Sequence, residues 1–326
     1  MDAQLTRTLP YGADSVAEAA ALIRQGACVA VPTETVYGLA ADATNAAAVT
    51  AVYAAKGRPS FNPLIVHVPD LAEAKRIAAF DRRADALAEA FWPGPLTLVL
   101  PLKPSAQIAS LVTAGLETIA IRVPRHRAMR ALLEASGLPL AAPSANASGS
   151  ISPTRAEHVA ASLDGRIPLI LDDGPTSQGI ESTIVREVFG MTRILRHGPV
   201  TIDEVRAAIT RPGVKLDRFD TGEDDGQPEQ IESPGQLLAH YAPRKPLRID
   251  APRGAEDEWM IGFAATGGND NLSPSGDLAE AAANLFAQLR ALDATGAKTI
   301  AVMPIPHAGL GEAINDRLRR AAAPRS

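Results

Sequence analysis

The pattern of apolar and polar positions divides the chain into segments with two different periods. Apolar residues at helical spacing predict helices over SVAEAAALIRQ, AAAVTAVYAAK, LAEAKRIAAF, ADALAEAFW and IDEVRAAI, whereas short apolar runs such as ACVAVP, LIVHV, LTLVLPL, TIAIRVP and TRILRHG predict strands. We expect Asp14 to cap the first helix and Gly26 to end it. Because several strands follow one another without a helix between them, the pattern predicts an α/β fold with a twisted, mixed sheet.

A second, smaller pattern follows residue 245. Strands PLRID, WMIGFAA and TIAVMPI alternate with helices DLAEAAANLFAQLRAL and EAINDRLRRAA, which predicts a smaller Rossmann-like parallel α/β domain. Between the two patterns lies a strip rich in Gly and Pro, and its residues 217–232 include one arginine and seven acids. Such a strip cannot form a core and is expected to be a flexible acidic linker. The predicted boundaries are therefore 1–210 for the larger domain, 211–245 for the linker and 246–326 for the small C-terminal domain.

Composition limits the classes of protein to consider. The chain has 326 residues, of which 46% are hydrophobic, so two domains with ordinary cores are expected. The net charge is −5 and no basic stripe is visible, so we expect no strong direct nucleic-acid binding. The single cysteine, Cys28, lies in an apolar run and is expected to be a core residue in a reducing compartment. No signal-peptide pattern and no long apolar run are present, which favours a cytoplasmic protein without membrane contact.

Several common catalytic motifs are missing from the sequence. The string GAKT at 296–299 lacks the glycine directly before Lys298 that a phosphate-binding loop requires, and GLGEAI ends in Ile314 where a dinucleotide motif has glycine. No nucleophile elbow surrounds Ser144 or Ser182, so a serine hydrolase is not expected. Cysteine pairs and HExxH strings are also missing, which argues against a zinc site built by the protein.

Cations and amides cluster where the second predicted helix ends. Lys56 and Arg58 flank Gly57 on a turn, and two cations at this spacing can converge on one polyanion. Taken alone, such a pair more often only complements the dipole of the helix, and we expect both side chains to be exposed. Asn62 and His67 flank the next strand, where a lone histidine is more often structural.

Three further strings place hydroxyl, amide or cationic groups where strands begin or end. APSANASG at 142–149 forms a small-residue turn that can approach an anion, although such a string taken alone is more often an ordinary Ser/Asn turn. GIESTIV places Ser182 at the start of a strand, and TRILRHG ends with Arg196. ETIAIRVP places Thr118 and Arg122 on one face of a strand, because they are four residues apart.

The combination of strings is more specific than any of them alone. PTETVYGL, KGRP…NPL, WPGPLT, TxAxRxP, PSAN, ESTIV and ILRxG occur in one order over about 200 residues. Together they resemble the YrdC-type domain of threonylcarbamoyl-AMP synthases, which prepare the threonylcarbamoyl group for N6-modified adenosine 37 of tRNA. SPGQLLAHYAP at 233–243, followed by an α/β unit, resembles the two-domain version of that family. One departure is Arg186, where many relatives have aspartate.

The resemblance implies a fold and a set of site residues. The fold would be a YrdC-like mixed sheet, and the KxR…SxN signature of the family falls on Lys56, Arg58, Ser144 and Asn146. These four residues would hold the ATP phosphates together with Mg²⁺, which would need no protein ligand. Contacts to ATP would come from Arg58, Asn62, Thr118, Ser144, Ser152, Arg196 and Tyr241. Contacts to threonine would come from Thr35, His67, Arg122, Ala142 and Ser182.

The implied reaction joins L-threonine, bicarbonate and ATP into threonylcarbamoyl-AMP, with release of pyrophosphate. A downstream threonylcarbamoyl transferase would pass the product to tRNA. Because the carbamate intermediate is unstable in water, a closing cover would help, and the linker with Tyr241 is placed to form one. Two alternatives remain at this stage. A carbamoyltransferase of the hydrogenase-maturation type carries zinc-finger modules that a single cysteine cannot build, and a non-catalytic RNA-binding module gains little support from the charge.

Overall fold

A computed structural model describes residues 5–188, 190–210, 218–221, 231–235, 240–265 and 268–324. The strands are β1 (Arg7–Pro10), β2 (Val29–Pro32), β3 (Tyr37–Asp42), β4 (Ile65–His67), β5 (Leu96–Pro101), β6 (Thr118–Arg122), β7 (Leu140–Ala141), β8 (Leu169–Asp172), β9 (Thr183–Val188), β10 (Met191–Arg196), β11 (Arg218–Asp220), β12 (Leu247–Arg248), β13 (Glu258–Gly262), β14 (Asp270–Asn271) and β15 (Thr299–Val302). The helices are α1 (Ala13–Arg24), α2 (Ala46–Lys56), α3 (Leu71–Ile77), α4 (Arg82–Phe91), α5 (Ser110–Thr113), α6 (Arg127–Ser136), α7 (Ala156–Leu163), α8 (Ile202–Ile209), α9 (Leu278–Asp293) and α10 (Leu310–Ala322). No helix within the described ranges is both long and apolar enough to cross a membrane.

The larger sheet has eleven strands in the order β1-β8-β2-β3-β7-β4-β6-β5-β9-β10-β11. Parallel and antiparallel pairs are both present, as in β4 with β6 and β5 with β6, which confirms the predicted mixed sheet. Successive residues of β2 face opposite sides, so Ala30 packs in one apolar cluster while Val29 and Val31 pack in another. Helices α1 and α6 cover the second side, and α2, α4, α7 and α8 contribute to the first.

Local sequence accounts for where the helices begin and end, with one correction. Asn45 caps α2 by accepting hydrogen bonds from the backbone N–H groups of Ala47 and Ala48, and Gly57 ends the helix with φ of 59°. Asp14 was expected to cap α1, but the capping position is Gly12 and Asp14 lies in the first turn. There its charge complements the positive end of the helix dipole without a capping hydrogen bond.

The smaller sheet has the order β12-β15-β13-β14, and its three strand pairs are all parallel. This agrees with the predicted Rossmann-like unit. Its core includes Phe286 and Leu289 of α9 together with Ile314 and Leu318 of α10. The same cluster also contains Val36, Ile151 and Ile180 of the larger unit. The two units therefore share one continuous apolar interface.

The segment between the two sheets is only partly described. Most of the acidic strip 217–232 lies outside the described residues, but Arg218–Asp220 forms β11, which pairs with β10 in parallel register. That part of the strip is a sheet strand rather than free chain. Arg186, the departure from the family pattern, forms an ion pair of 2.7 Å with Glu232 of the same segment.

Cys28 lies in the core of the larger unit, as the sequence predicted. Burial raises the pKa of its thiol to about 11, against a smaller lowering by a backbone hydrogen bond. A thiol with so high a pKa stays protonated near neutral pH and is a poor nucleophile. Cys28 is therefore a packing residue.

Candidate active site

A partly enclosed cavity lies over one face of the larger sheet. Its lining comprises Thr33, Thr35, Val36, Gly38, Arg58, Ile65, His67, Arg122, Ala142, Pro143, Ser144, Glu181, Ser182, Arg196, Pro234, Gly235, His240 and Tyr241. Among these described lining residues are three arginines and one carboxylate, that of Glu181. The excess of positive charge suits an anionic ligand.

Two parallel strands bring a histidine and an arginine side by side. His67 of β4 is in register with Arg122 of β6, and both side chains lie on the cavity face. Burial and, to a smaller extent, the positive charge of Arg122 lower the pKa of His67 to about 3, against the opposing effects of Glu34 and of nearby backbone groups of Ile65 and Leu140. Neither ring nitrogen of His67 has a hydrogen-bond partner of ordinary geometry among the described residues. The imidazole is therefore neutral at physiological pH, and one of its nitrogens can accept a hydrogen bond from a ligand.

Arg122 is oriented by a buried acid that the sequence analysis did not single out. Its Nη2 donates to Glu34 Oε1 at 2.6 Å, and its Nη1 donates to Thr35 Oγ1 at 3.0 Å. Burial alone would raise the pKa of Glu34, but the charge and hydrogen bond of Arg122 hold it below its ordinary value. Since a guanidinium has five N–H donors, one hydrogen on each terminal nitrogen of Arg122 remains for a ligand carboxylate.

Lys56 is buried rather than exposed, which corrects the expectation for a cation at a helix end. Its ammonium donates to the carbonyl oxygens of Ser144 and Asn146 at 2.5 and 2.6 Å. Burial and the neighbouring Arg58 lower its pKa well below the ordinary value, while Glu181 opposes that shift. Lys56 thus clamps the turn that carries the two predicted phosphate-binding residues.

Arg58 is also buried, contrary to the expectation. Its Nη2 donates to Asn62 Oδ1 at 2.5 Å and to the Pro63 carbonyl at 3.0 Å. Burial lowers the pKa of the guanidinium to about 10, so it remains charged at neutral pH. The Nδ2 atom of Asn62 and the Oδ1 atom of Asn146 are buried and have no partner among the described residues. Both amides can therefore still bind a ligand.

The antiparallel pairing of β9 and β10 brings Ser182 next to Arg196. The guanidinium donates from Nε to the Ser182 carbonyl at 3.0 Å and from Nη2 to Ser182 Oγ at 3.1 Å. Ser182 Oγ also shares a hydrogen bond of 2.8 Å with Thr97 Oγ1. The serine hydroxyl is thus held at the cavity wall beside a buried cation.

Residues of the connecting segment close one side of the cavity. Pro234, Gly235, His240 and Tyr241 all contribute to the lining. The Tyr241 ring stacks on Phe286 with centroids 5.5 Å apart, so its position depends on the smaller unit. Burial and the charges of Arg58, Lys56, Arg196 and Arg320 lower the pKa of His240 well below its ordinary value.

Glu181 is a second acid that the sequence analysis did not identify. It precedes Ser182 in the string GIESTIV and lines the cavity. Its Oε2 accepts from Arg317 Nε at 2.9 Å, and its Oε1 accepts from Ser152 Oγ. The available sequence signal was an acid next to two hydroxyl residues in a string predicted to belong to the site. The partner of Glu181, Arg317, lies 136 residues away along the chain.

The structure brings together most, but not all, of the predicted site residues. Those that line the cavity are Thr35, Arg58, His67, Arg122, Ala142, Ser144, Ser182, Arg196 and Tyr241. Lys56, Asn62, Asn146 and Ser152 lie directly behind this lining, through the hydrogen bonds to Ser144, Arg58 and Glu181 described above. Thr118 lies at the far end of β6 from Arg122, paired with Pro101, and is not among the lining residues.

The α/β fold and its cation-rich cavity define a protein that can bind an anionic substrate. A family model described as Telomere recombination matches residues 21–198, and one described as Threonylcarbamoyl-AMP synthase, C-terminal domain, matches residues 200–323. The chain therefore belongs to the threonylcarbamoyl-AMP synthase family, whose activity serves tRNA threonylcarbamoylation.

Curated relatives and a solved structure support the assignment over nearly the whole chain. A threonylcarbamoyl-AMP synthase of Bacillus subtilis (strain 168) is 42% identical, with 98% of this chain and 96% of the relative covered. One of Pyrococcus abyssi (strain GE5 / Orsay) is 38% identical, with 93% of each covered. The crystal structure of P. abyssi Sua5 complexed with L-threonine matches with a TM-score of 0.86 and 34% identity, covering 98% of this chain and 97% of that one. These matches favour a synthase over an RNA-binding module or a carbamoyltransferase.

Proposed function

We propose that the cavity condenses L-threonine, bicarbonate and ATP into threonylcarbamoyl-AMP, pyrophosphate and water. The observation that carries this proposal is the group of buried cations Lys56, Arg58 and Arg196 beside the Ser144 turn. Burying three cations in one place is costly unless an anion compensates them, and a triphosphate supplies that charge. Threonine is the amino acid proposed because the matched P. abyssi structure is complexed with it.

On this proposal, Arg122 and His67 hold the amino acid. The two free N–H groups of Arg122 bind the threonine carboxylate, and the neutral His67 ring accepts a hydrogen bond from the amino group. The threonine hydroxyl bonds Thr35 or Ser182, both of which line the cavity. Ala142, between β7 and the Ser144 turn, borders the same end of the cavity.

The chemistry requires alignment and charge neutralisation rather than a covalent nucleophile. The threonine amine attacks the carbon of bicarbonate, and water leaves as the carbamate forms. A carbamate oxygen then attacks the α-phosphorus of ATP, and the bond to pyrophosphate breaks. Both reactants are anions, so Arg58 and Arg196 contribute by stabilising negative charge as it moves to the leaving group.

Mg²⁺ is proposed to enter with the nucleotide. Within the described residues, no group of three or more His, Cys, Asp or Glu side chains could hold a metal ion. The carboxylate that lines the cavity, Glu181, is already engaged by Arg317 and Ser152. On this proposal, phosphate oxygens would ligate the ion, where it would neutralise part of the triphosphate charge.

A charge-matched pair of variants tests the proposal. Arg58→Met removes a buried cation at the cavity, whereas Arg76→Met removes an arginine whose side chain is 80% exposed and paired with Glu73. We expect Arg58→Met to lower threonine- and bicarbonate-dependent pyrophosphate release at least ~10²-fold, the scale for removing one charge-stabilising donor. Arg76→Met should leave it unchanged. Normal turnover by a folded Arg58→Met variant, checked by circular dichroism, would contradict the proposal.

The remaining partners also follow from this proposal. Threonylcarbamoyl-AMP would pass to a downstream threonylcarbamoyl transferase that acts on tRNA, so this chain need not bind tRNA strongly. A cytoplasmic location is proposed with it, and cell fractionation with an antibody to the chain would test that.

A further inference from the structure

One arginine of the smaller unit reaches the cavity wall of the larger unit. Arg317 lies on α10, and its side chain is fully buried. Its Nε donates to Glu181 Oε2 at 2.9 Å, and its guanidinium carbon lies 5.3 Å from the centre of the Tyr241 ring. It thus contacts two residues that line the cavity while belonging to the other domain.

The negative charge of Glu181 is unexpected in the lining of a cavity that suits a polyanion. A free carboxylate at this wall would repel phosphate groups and would attract the cations meant to bind them. Its electrostatic interactions with Lys56 and Arg196 show that both cations are close enough to respond to it. In the structure this carboxylate is paired with Arg317 instead.

Arg317 is itself held in one orientation. Its Nη1 donates to Asp316 Oδ2 at 2.7 Å, and its Nη2 donates to the carbonyl of His197 at 2.8 Å. His197 directly follows Arg196 at the end of β10, so the guanidinium is fixed against the same strand end that carries a cavity cation. Because the buried guanidinium is hydrogen-bonded to Glu181, Asp316 and the His197 carbonyl, its orientation is fixed and it holds the Glu181 carboxylate in place.

We propose that Arg317 is a positioning residue for the active site, which neutralises Glu181 and supports the Tyr241 ring on the nucleotide side of the cavity. By pairing with the carboxylate, it weakens the attraction of Glu181 for Lys56 and Arg196, so that the positive charges of both residues act on phosphates. The smaller domain therefore helps to position the active-site residues of the larger domain. This inference rests on the proposed function, since it assumes that the cavity binds ATP.

Arg317→Met is the first test, with ATP binding by calorimetry and pyrophosphate release as readouts. Removing one partner of a buried, hydrogen-bonded charge pair predicts at least a ~30-fold rise in the KM for ATP, with a smaller effect on the KM for threonine. Glu181→Gln in the same chain removes the unpaired charge but keeps an acceptor for Ser152. The double variant should therefore recover most of the ATP affinity, and Arg317→Lys should fall between wild type and Arg317→Met.

Arg290 offers a matched control for domain docking. It also crosses the interface, donating to the backbone carbonyls of Ile151 and Ser152, but it does not line the cavity. Arg290→Met should lower thermal stability while raising the KM for ATP far less than Arg317→Met does.

The outcomes separate the two levels of inference. If wild type fails to bind ATP, the proposed function itself is wrong. If wild type binds ATP but Arg317→Met binds it equally well, the positioning role is overturned. It is also overturned if the double variant is no better than Arg317→Met, or if Arg290→Met raises the KM for ATP to the same extent, since Arg317 would then matter only for docking.

Discussion

Gly235 provides a sharp test of how the connecting segment lies against the cavity. Its φ is +88°, and a Cβ atom built on it would lie 2.9 Å from the Tyr241 hydroxyl oxygen and 3.0 Å from Arg196 Cδ. Ordinary contacts between such atoms begin near 3.5 Å, so Gly235→Ala must displace these side chains by about half an ångström. A displacement of 1 Å at a reacting site can cost 10²-fold, so we expect kcat/KM for ATP to fall roughly 10-fold.

Gly115→Ala is the control, because Gly115 has φ of +81° and nothing within 4 Å of the added atom. Both variants carry the left-handed backbone penalty of about 1–2 kcal/mol, which thermal unfolding would measure. Only Gly235→Ala should slow pyrophosphate release at subsaturating ATP. If the two variants had equal kcat/KM values, the segment would not lie against Arg196 and Tyr241 in the working enzyme, and the reasoning would fail.

Three other predictions follow from the site. Lys56→Met should lower turnover at least ~10²-fold, as measured by pyrophosphate release. It should also lower the free energy of unfolding by about 2 kcal/mol in urea titration, because the carbonyls of Ser144 and Asn146 lose a buried donor. The pKa of His67 is about 3 in the folded chain, below its ordinary value of 6.5, so its neutral form stabilises the fold above pH 6.5 and that contribution is lost as pH falls toward 3. His67→Gln should therefore flatten the acid limb of stability by up to ~1.4 kcal/mol per pH unit, and an unchanged slope in denaturation at several pH values would count against it. Threonine should be used best, then serine, with valine nearly inert, because losing the hydroxyl proposed to bond Thr35 or Ser182 costs more than losing a methyl group worth about 1–3 kcal/mol. Equal rates with valine would refute that pocket.

Periodicity was enough to predict most of the fold. The helices and strands with clear apolar spacing, such as α2, β5 and α9, lie where the pattern placed them. Strand β3 was missed because its sequence YGLAAD has no β-branched residue and consists largely of glycine, alanine and aspartate, which are depleted in strands, although the strand is fully buried. Short β1 was missed for a similar reason, since exposed residues such as Arg7 and Thr8 give it no apolar run.

Which residues form the site was easier to predict than which of them are buried. A cation at a helix end is ordinarily exposed, and nothing near Lys56 in the sequence shows that the turn at 142–149 will cover it. Glu34 and Glu181 were missed for the same reason. Each owes its role to a guanidinium far along the chain, 88 residues away for Arg122 and 136 for Arg317. Local patterns identify groups that can do chemistry, whereas their partners depend on the tertiary fold.

The strand order has a consequence for how the chain is made. Strand β8 lies between β1 and β2 and pairs with both. Arg7 and Val29 therefore cannot form their strand pairs until Leu169 has been synthesised. At a synthesis rate of 5–20 residues per second, β1 remains without its neighbour for about 8 to 30 seconds after it is made. During that interval the growing chain exposes an unpaired strand edge at β2, which other nascent chains could join. Ribosome-associated chaperones that shield this edge would therefore matter most for this protein before residue 172 has emerged.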